Sequence, residues 1–162
     1  MRYQNKNQQD KNQEGFTLIE LLVVIAIISL LTSIALIGLM SARQKSRDVK
    51  RMSDLTQMNT ALELYYSSNK GYPSVTTALM PGFASQIPSA PLPSDGGCEL
   101  VSYPSPVPAG YNGSQYYYYP SGTSYVLNGQ TMYPDYAYYF CLGNTTGNFD
   151  PGMHILSPKG VR

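Results

Sequence analysis

From Phe16 to Met40 the chain runs for 25 residues with one charged side chain, Glu20. As a helix rising ~1.5 Å per residue, this stretch is roughly 38 Å long, against about 30 Å of bilayer hydrocarbon. No other stretch constrains the fold as strongly, because a rod this apolar must be covered by lipid or by other chains. A removed secretory signal is the competing reading. Its apolar core is usually about 7–15 residues, with the small-residue cut site after it. Here the run is longer, and the small residue, Gly15, precedes it.

Proline and glycine divide the chain. Before residue 71 there is no Pro, and the only Gly are Gly15 and Gly38; all twelve Pro and the other twelve Gly come later. Both residue types break helices and make turns. The distribution predicts one very long helix followed by a loop-rich and strand-rich head over 71–162. "NKGYP" is the expected stop, with Gly71 at the helix C-terminus and Pro73 blocking continuation. Residues 1–14 are polar and rich in Asn and Gln, with nothing to bury.

The rod has two halves, 16–42 and 43–70. In the second, Leu55, Met58, Leu62, Tyr65 and Tyr66 recur at spacings of three and four, while Asp54, Thr56, Gln57, Asn59, Thr60 and Glu63 fill most of the remaining surface. This amphipathic half needs a cover, and the head supplies it. There, "SQYYYYPSG", "TSYVLNGQTMY" and "DYAYYFCLG" are β-prone runs cut by turn residues, and Asn128-Gly129 is a two-residue hairpin signal. Eleven of the fifteen Tyr lie between 103 and 139. They read as a half-buried sheet face with hydroxyls reaching water rather than as a stacking surface for glycan or nucleic acid. Residues 80 to 110, with seven Pro, read as an extended surface loop. The expected fold is α+β: a long N-terminal α-helix packed on a small antiparallel β-sheet head.

Charge and motifs exclude several functions. Formal net charge is +1, and residues 71–158 hold four acids and no Lys or Arg. A head gripping nucleic acid should be basic, so none is inferred as a partner. His154 is the only histidine and reads as a strand or turn residue. No acid–base pair, nucleophile triad or phosphate-cradling loop is recognisable, so neither an enzyme nor a cofactor is expected. Asp135 and Asp150 are too scattered to argue for Ca²⁺. The tripeptides at Asn112 and Asn144 match a glycosylation acceptor by chance as readily as by design.

Cys98 and Cys141 are the only cysteines. Bridged, they would close a loop worth roughly 4 kcal/mol in the chain-entropy model and place the head in an oxidising space. Free, they would be two thiols of a reducing compartment. Five bases among residues 43–51 against Asp48 point the other way, toward a head held inside by the positive-inside rule.

Glu20 poses the sharper question. A carboxylate at mid-membrane costs about 2.5–3.5 kcal/mol on insertion scales. Headgroup placement is the bland answer. If the chain were cut after Gly15, however, the new Phe16 amine would add a positive charge four residues from the negative one. Rods staggered by one step would pair the two, since any other stagger leaves charges unpaired in an apolar core. Such a contact is head-to-tail and builds an open helical filament.

"GFTLIELLVVIAIISLL" resembles the class III signal of type IV pilins and type II secretion pseudopilins, with Gly15 before the cut, Phe16 after it and Glu20 as the fifth mature residue. "ARQKSRDVKRMSDLTQMNTALELYYSSNKGYP" is similar to the amphipathic half of pseudopilin helices, and "GMHILSPKGVR" to the ends of some pilin-like proteins. The resemblance implies removal of leader 1–15 by a prepilin peptidase, N-methylation of Phe16, and pairing of Glu20 with the Phe16 amine of an adjacent subunit. It implies partners: identical or related subunits, inner-membrane assembly machinery, and lipid before assembly. It implies a single pass through the inner membrane, with the head extracytoplasmic, then a periplasmic or extracellular filament. Many pilins carry a Pro in the apolar half; here Gly38 is the only irregularity. The alternative is a membrane-tethered binding module that does not polymerise.

Overall fold

The computed structural model describes residues 15–80, 82–98 and 115–162. Leader residues 1–14, Pro81 and the stretch 99–114 with Pro104, Pro106, Pro108 and Asn112 lie outside the described residues. Helix α1 spans Leu18–Asn69, 52 residues. The chain divides into two compact units, one ending at Leu39 and a head running from Met40 to Arg162.

In the first unit the apolar side chains are bare, Phe16 at 92% and Ile37 at 75% exposure. The helix is long and apolar enough to cross a membrane. Its hydroxyls are satisfied locally: Ser29 Oγ donates to the Ile25 carbonyl at 2.7 Å, Thr32 to Ile28 at 2.7 Å and Ser33 to Ser29 at 2.8 Å. Such back-bonding lets a polar side chain sit in hydrocarbon without an orphaned donor.

The head is α+β. Among the described residues seven strands follow in chain order: β1 Tyr72–Pro73, β2 Tyr117–Ser121, β3 Tyr125–Leu127, β4 Gln130–Tyr133, β5 Asp135–Leu142, β6 Gly152–Ser157 and β7 Gly160–Val161. They form two sheets rather than the single one expected, ordered β1-β4-β3 and β2-β5-β6-β7, with every pairing antiparallel. The β3–β4 hairpin turns at Asn128 and Gly129 with φ of 52° and 77°, the two positive values a two-residue turn of this hand requires.

Leu55, Met58, Leu62 and Tyr65 of α1 pack with Met132, Tyr136, Tyr138, Phe140, Leu142 and Leu156, as the helical spacing predicts. Tyr66 departs from its predicted place and is 39% exposed. The helix ends where "NKGYP" indicates, but Lys70, not Gly71, takes the left-handed position, φ 60°. The Lys70 N–H donates to the Tyr66 carbonyl at 2.7 Å, closing the last turn. Gly71 is needed for closeness instead: a Cβ there would stand 2.5 Å from the Tyr125 hydroxyl and 2.6 Å from Met132 Cβ.

The proline-bearing loop is not merely a surface feature. Cys98 is wholly buried within it, and Asp95 nearly so. Residues Gly96–Cys98 form a short 3₁₀ turn against β5 and β6. That cover explains why β5 is buried on both faces at its end, Tyr138 to Leu142, where alternation would have left one face wet.

Candidate functional site

Gly15 and Phe16 are exposed, ahead of the first helical turn. A Cβ built on Gly15 would meet nothing within 4 Å, so the fold itself does not demand glycine there. Glu20 is not idle at its place. Its Oε2 accepts from the Thr17 N–H at 2.8 Å and from Thr17 Oγ1 at 2.7 Å, while the Glu20 N–H donates to Thr17 Oγ1 at 3.3 Å. This is a capping box, Thr17 at the cap and Glu20 three residues on, satisfying backbone donors a helix start would otherwise leave free. "TLIE" carried that signal openly, and reading Glu20 only as a membrane charge overlooked it. Among the described residues, Oε1 accepts no hydrogen bond, so one carboxylate oxygen stays open while the other is held.

The second polar constellation lies in the head and was largely missed. Asp54 was expected on the wet face of α1. It is fully buried, as are Asp48 and Arg51. Arg51 Nη1 donates to Asp48 Oδ1 at 2.6 Å and lies 3.5 Å from Asp95 Oδ2. Its Nη2 donates to the carbonyls of Pro91 at 3.0 Å and Pro93 at 3.3 Å. Arg47 grips Asp95 from Nε and Nη2, each at 2.6 Å. Asp48 also accepts from the backbone N–H groups of Gly143 at 3.0 Å and Asn144 at 2.9 Å, and from the Asn144 side chain at 3.1 Å. Asp54 takes hydrogen bonds from Lys50 and from the Tyr116 hydroxyl. The Arg47 hydrogen bonds hold the Asp95 carboxyl below the usual carboxylate range, against its own burial. Burial, then the Asp54 carboxylate, pushes the Tyr116 phenol up.

Three of the five bases that suggested a topological signal are thus partners of Asp48, Asp54 and Asp95 inside the head. Of the described tyrosines between 103 and 139, whose hydroxyls were expected in water, Tyr116, Tyr118 and Tyr136 turn theirs inward, as Tyr72 also does. Tyr136 donates to Asn59 at 2.7 Å, Tyr72 to Glu63 at 2.8 Å and Tyr118 to the Pro73 carbonyl at 2.7 Å.

Cys98 and Cys141 are joined, with Cα atoms 5.7 Å apart. His154 sits in β6, its Nε2 2.8 Å from the Asp150 carbonyl. Asp135 accepts from the Tyr136 N–H at 2.8 Å. Among the described residues, no three His, Cys, Asp or Glu gather to hold a metal.

The prokaryotic N-terminal methylation motif matches residues 10–36. The chain is 37% identical over 71 residues to the type II secretion system core protein G of Aeromonas hydrophila, covering 44% of this chain and 50% of that one. It is 38% identical over 72 residues to core protein G of Pectobacterium carotovorum, covering 44% and 46%. It is 39% identical over 70 residues to the type IV wide pilus major component PilA4 of Thermus thermophilus, covering 43% and 53%. The chain spans about half the length of the curated relatives it matches. No solved structure gives a significant match. The chain therefore carries the prokaryotic N-terminal methylation motif on a long apolar helix, and it is similar to type II secretion core proteins G and to a type IV pilus major component.

Proposed function

We propose that this chain is a structural subunit of a type IV pilus or pseudopilus filament, working by polymerisation rather than by catalysis. One observation carries the reading: the methylation motif, residues 10–36, runs into an apolar helix whose first half is bare among the described residues. Burying that surface is worth roughly 25 cal/mol per Å², so the segment needs lipid before assembly and sister helices after it. A prepilin peptidase cuts between Gly15 and Phe16 and methylates the new Phe16 amine. The open Oε1 of Glu20 receives the Phe16 ammonium of an adjacent subunit, while Thr17 holds Oε2. Inner-membrane machinery extracts the subunit, and the head faces the extracytoplasmic side in keeping with its disulfide.

Intact-mass measurement of the mature protein tests this. The expected chain begins at monomethylated Phe16. A protein that keeps residues 1–15 and stays single in lipid would end the filament reading.

A further inference from the structure

Two stretches far apart in sequence meet α1 within one five-residue span, Arg47 to Arg51. From one side Asp95, Pro91 and Pro93 hold Arg47 and Arg51. From the other, the Gly143 and Asn144 N–H groups hold Asp48. The two also press on each other, since a side chain on Gly143 would collide with Asp95 Cβ. The disulfide joins them just behind this contact. Cys98 lies three residues past Asp95 and donates its N–H to the Asp95 carbonyl at 3.2 Å, while Cys141 lies two before Gly143.

The two arms are not equally secured. Cys141 belongs to β5, which pairs with both β2 and β6. From Ser85 to Asp95 no backbone N–H donates to a backbone carbonyl of another described residue. That arm is held by side-chain bonds to the helix, by packing and by Cys98. Burying Asp95 and Arg51 also costs desolvation, which their mutual attraction must first offset.

We propose that the Cys98–Cys141 bond is a folding latch: its formation clamps the 91–98 arm over α1 and closes the ion cluster, and without it the arm lifts and uncovers Arg47 and Arg51. The latch closes by thiol–disulfide exchange. The two cysteine thiols give up two protons and two electrons to an acceptor disulfide, which leaves as two thiols, and the Sγ–Sγ bond forms. Cys98 and Cys141 are then 0% and 2% exposed, so a thiolate in solution cannot reach them. The device therefore operates once, as the head folds in an oxidising compartment. In the reduced chain, five bases at 43–51 stand beside Asp48 without Asp95; in the oxidised head two of them are covered.

Arginine-specific dicarbonyl labelling of the full chain in detergent, read by mass spectrometry, tests the latch without depending on filament assembly. Arg43, exposed at the start of the head, is the internal reference. In Cys98→Ser/Cys141→Ser the labelling of Arg51 should rise about tenfold or more over the oxidised protein, by local opening. Amide exchange in β5 and β6 should stay slow. In Asp95→Asn with the disulfide intact, Arg51 should remain shielded. The latch is overturned if Arg51 stays protected in the double-Ser protein. It is equally overturned if β5 and β6 lose protection there, since the bond then holds the whole head. It is overturned, too, if Asp95→Asn alone exposes Arg51 as fully, since the charge and not the disulfide then holds the arm.

Discussion

Asp48 and Arg51 stand one helical turn apart on α1 and form an ion pair at 2.6 Å with neither side chain exposed. A pair this dry is weak evidence of net stability, but removing Asp48 leaves the Arg51 charge with Asp95 alone, at 3.5 Å, and two proline carbonyls. Asp48 also takes three hydrogen bonds from Gly143 and Asn144. Asp48→Ala should therefore destabilise the head by about 3–5 kcal/mol, the usual cost of breaking a buried pair by removing one partner, here with the acceptor of the Gly143 and Asn144 N–H groups lost as well. Urea unfolding of the full chain in detergent, followed by tyrosine fluorescence, reads it. A loss within ~0.5 kcal/mol would mean that water or another group already compensates Arg51.

Acidification should weaken the head through Asp95. Arg47 depresses the Asp95 pKa in the folded state, with Arg51 adding to it. A depressed carboxyl contributes stability that is fully present above the unfolded value, about pH 4, and is lost as pH falls through the lower folded value. The urea midpoint of the wild type should drop below about pH 4 more steeply than that of Asp95→Asn. The two curves should converge at the acid end. Parallel curves would show that the Asp95 pairing contributes no proton-linked stability.

What the sequence made legible follows its periodic elements. The bare apolar rod, the stop near Asn69, the Leu55–Met58–Leu62–Tyr65 stripe and the Asn128-Gly129 hairpin all rest on local chemistry that a window of residues carries whole. The ion cluster does not. Nothing within "RQKSRDVKRMSD" says that Asp48, Arg51 and Asp54 point inward, because the partners that make this tolerable lie 40 and more residues away, at Pro91, Asp95, Tyr116 and Asn144. A charge reads as a solvated face until its distant partner is known. The Tyr hydroxyls went astray for the same reason: the acceptors Asn59, Glu63 and Asp54 sit on the helix face that periodicity had assigned to water. The capping box is a different case, because Thr17 and Glu20 stand three residues apart and a short window carries both partners.

The turn out of α1 makes a paired prediction. Lys70 bears a Cβ in a left-handed conformation, φ 60°, that glycine adopts more cheaply. Lys70→Gly should therefore raise stability by up to ~1 kcal/mol, offset in part by the freer unfolded chain. Gly71→Ala should do the reverse by about 1–3 kcal/mol, because its methyl would press on the Tyr125 hydroxyl and Met132. Thermal midpoints rank the two variants. If Gly71→Ala equals the wild type, β4 and Tyr125 yield to the methyl.

Thr17 should matter to assembly through Glu20. It gives Glu20 Oε2 two hydrogen bonds, one from its backbone and one from its hydroxyl. Thr17→Ala keeps the first and deletes the second, together with the side-chain acceptor for the Glu20 N–H. The carboxylate then samples more rotamers, and under the proposed pairing with a single amine at one stagger it loses preorganisation. Membrane insertion depends on the apolar run and should be unchanged. Incorporation into filaments should fall several-fold in Thr17→Ala and recover in Thr17→Ser, which restores the hydroxyl without the methyl. Glu20→Ala should insert normally and fail to assemble in either background. Counting subunits in sheared filaments against those left in membranes separates these cases. Equal incorporation of Thr17→Ala and wild type would show that Glu20 finds its partner without being held.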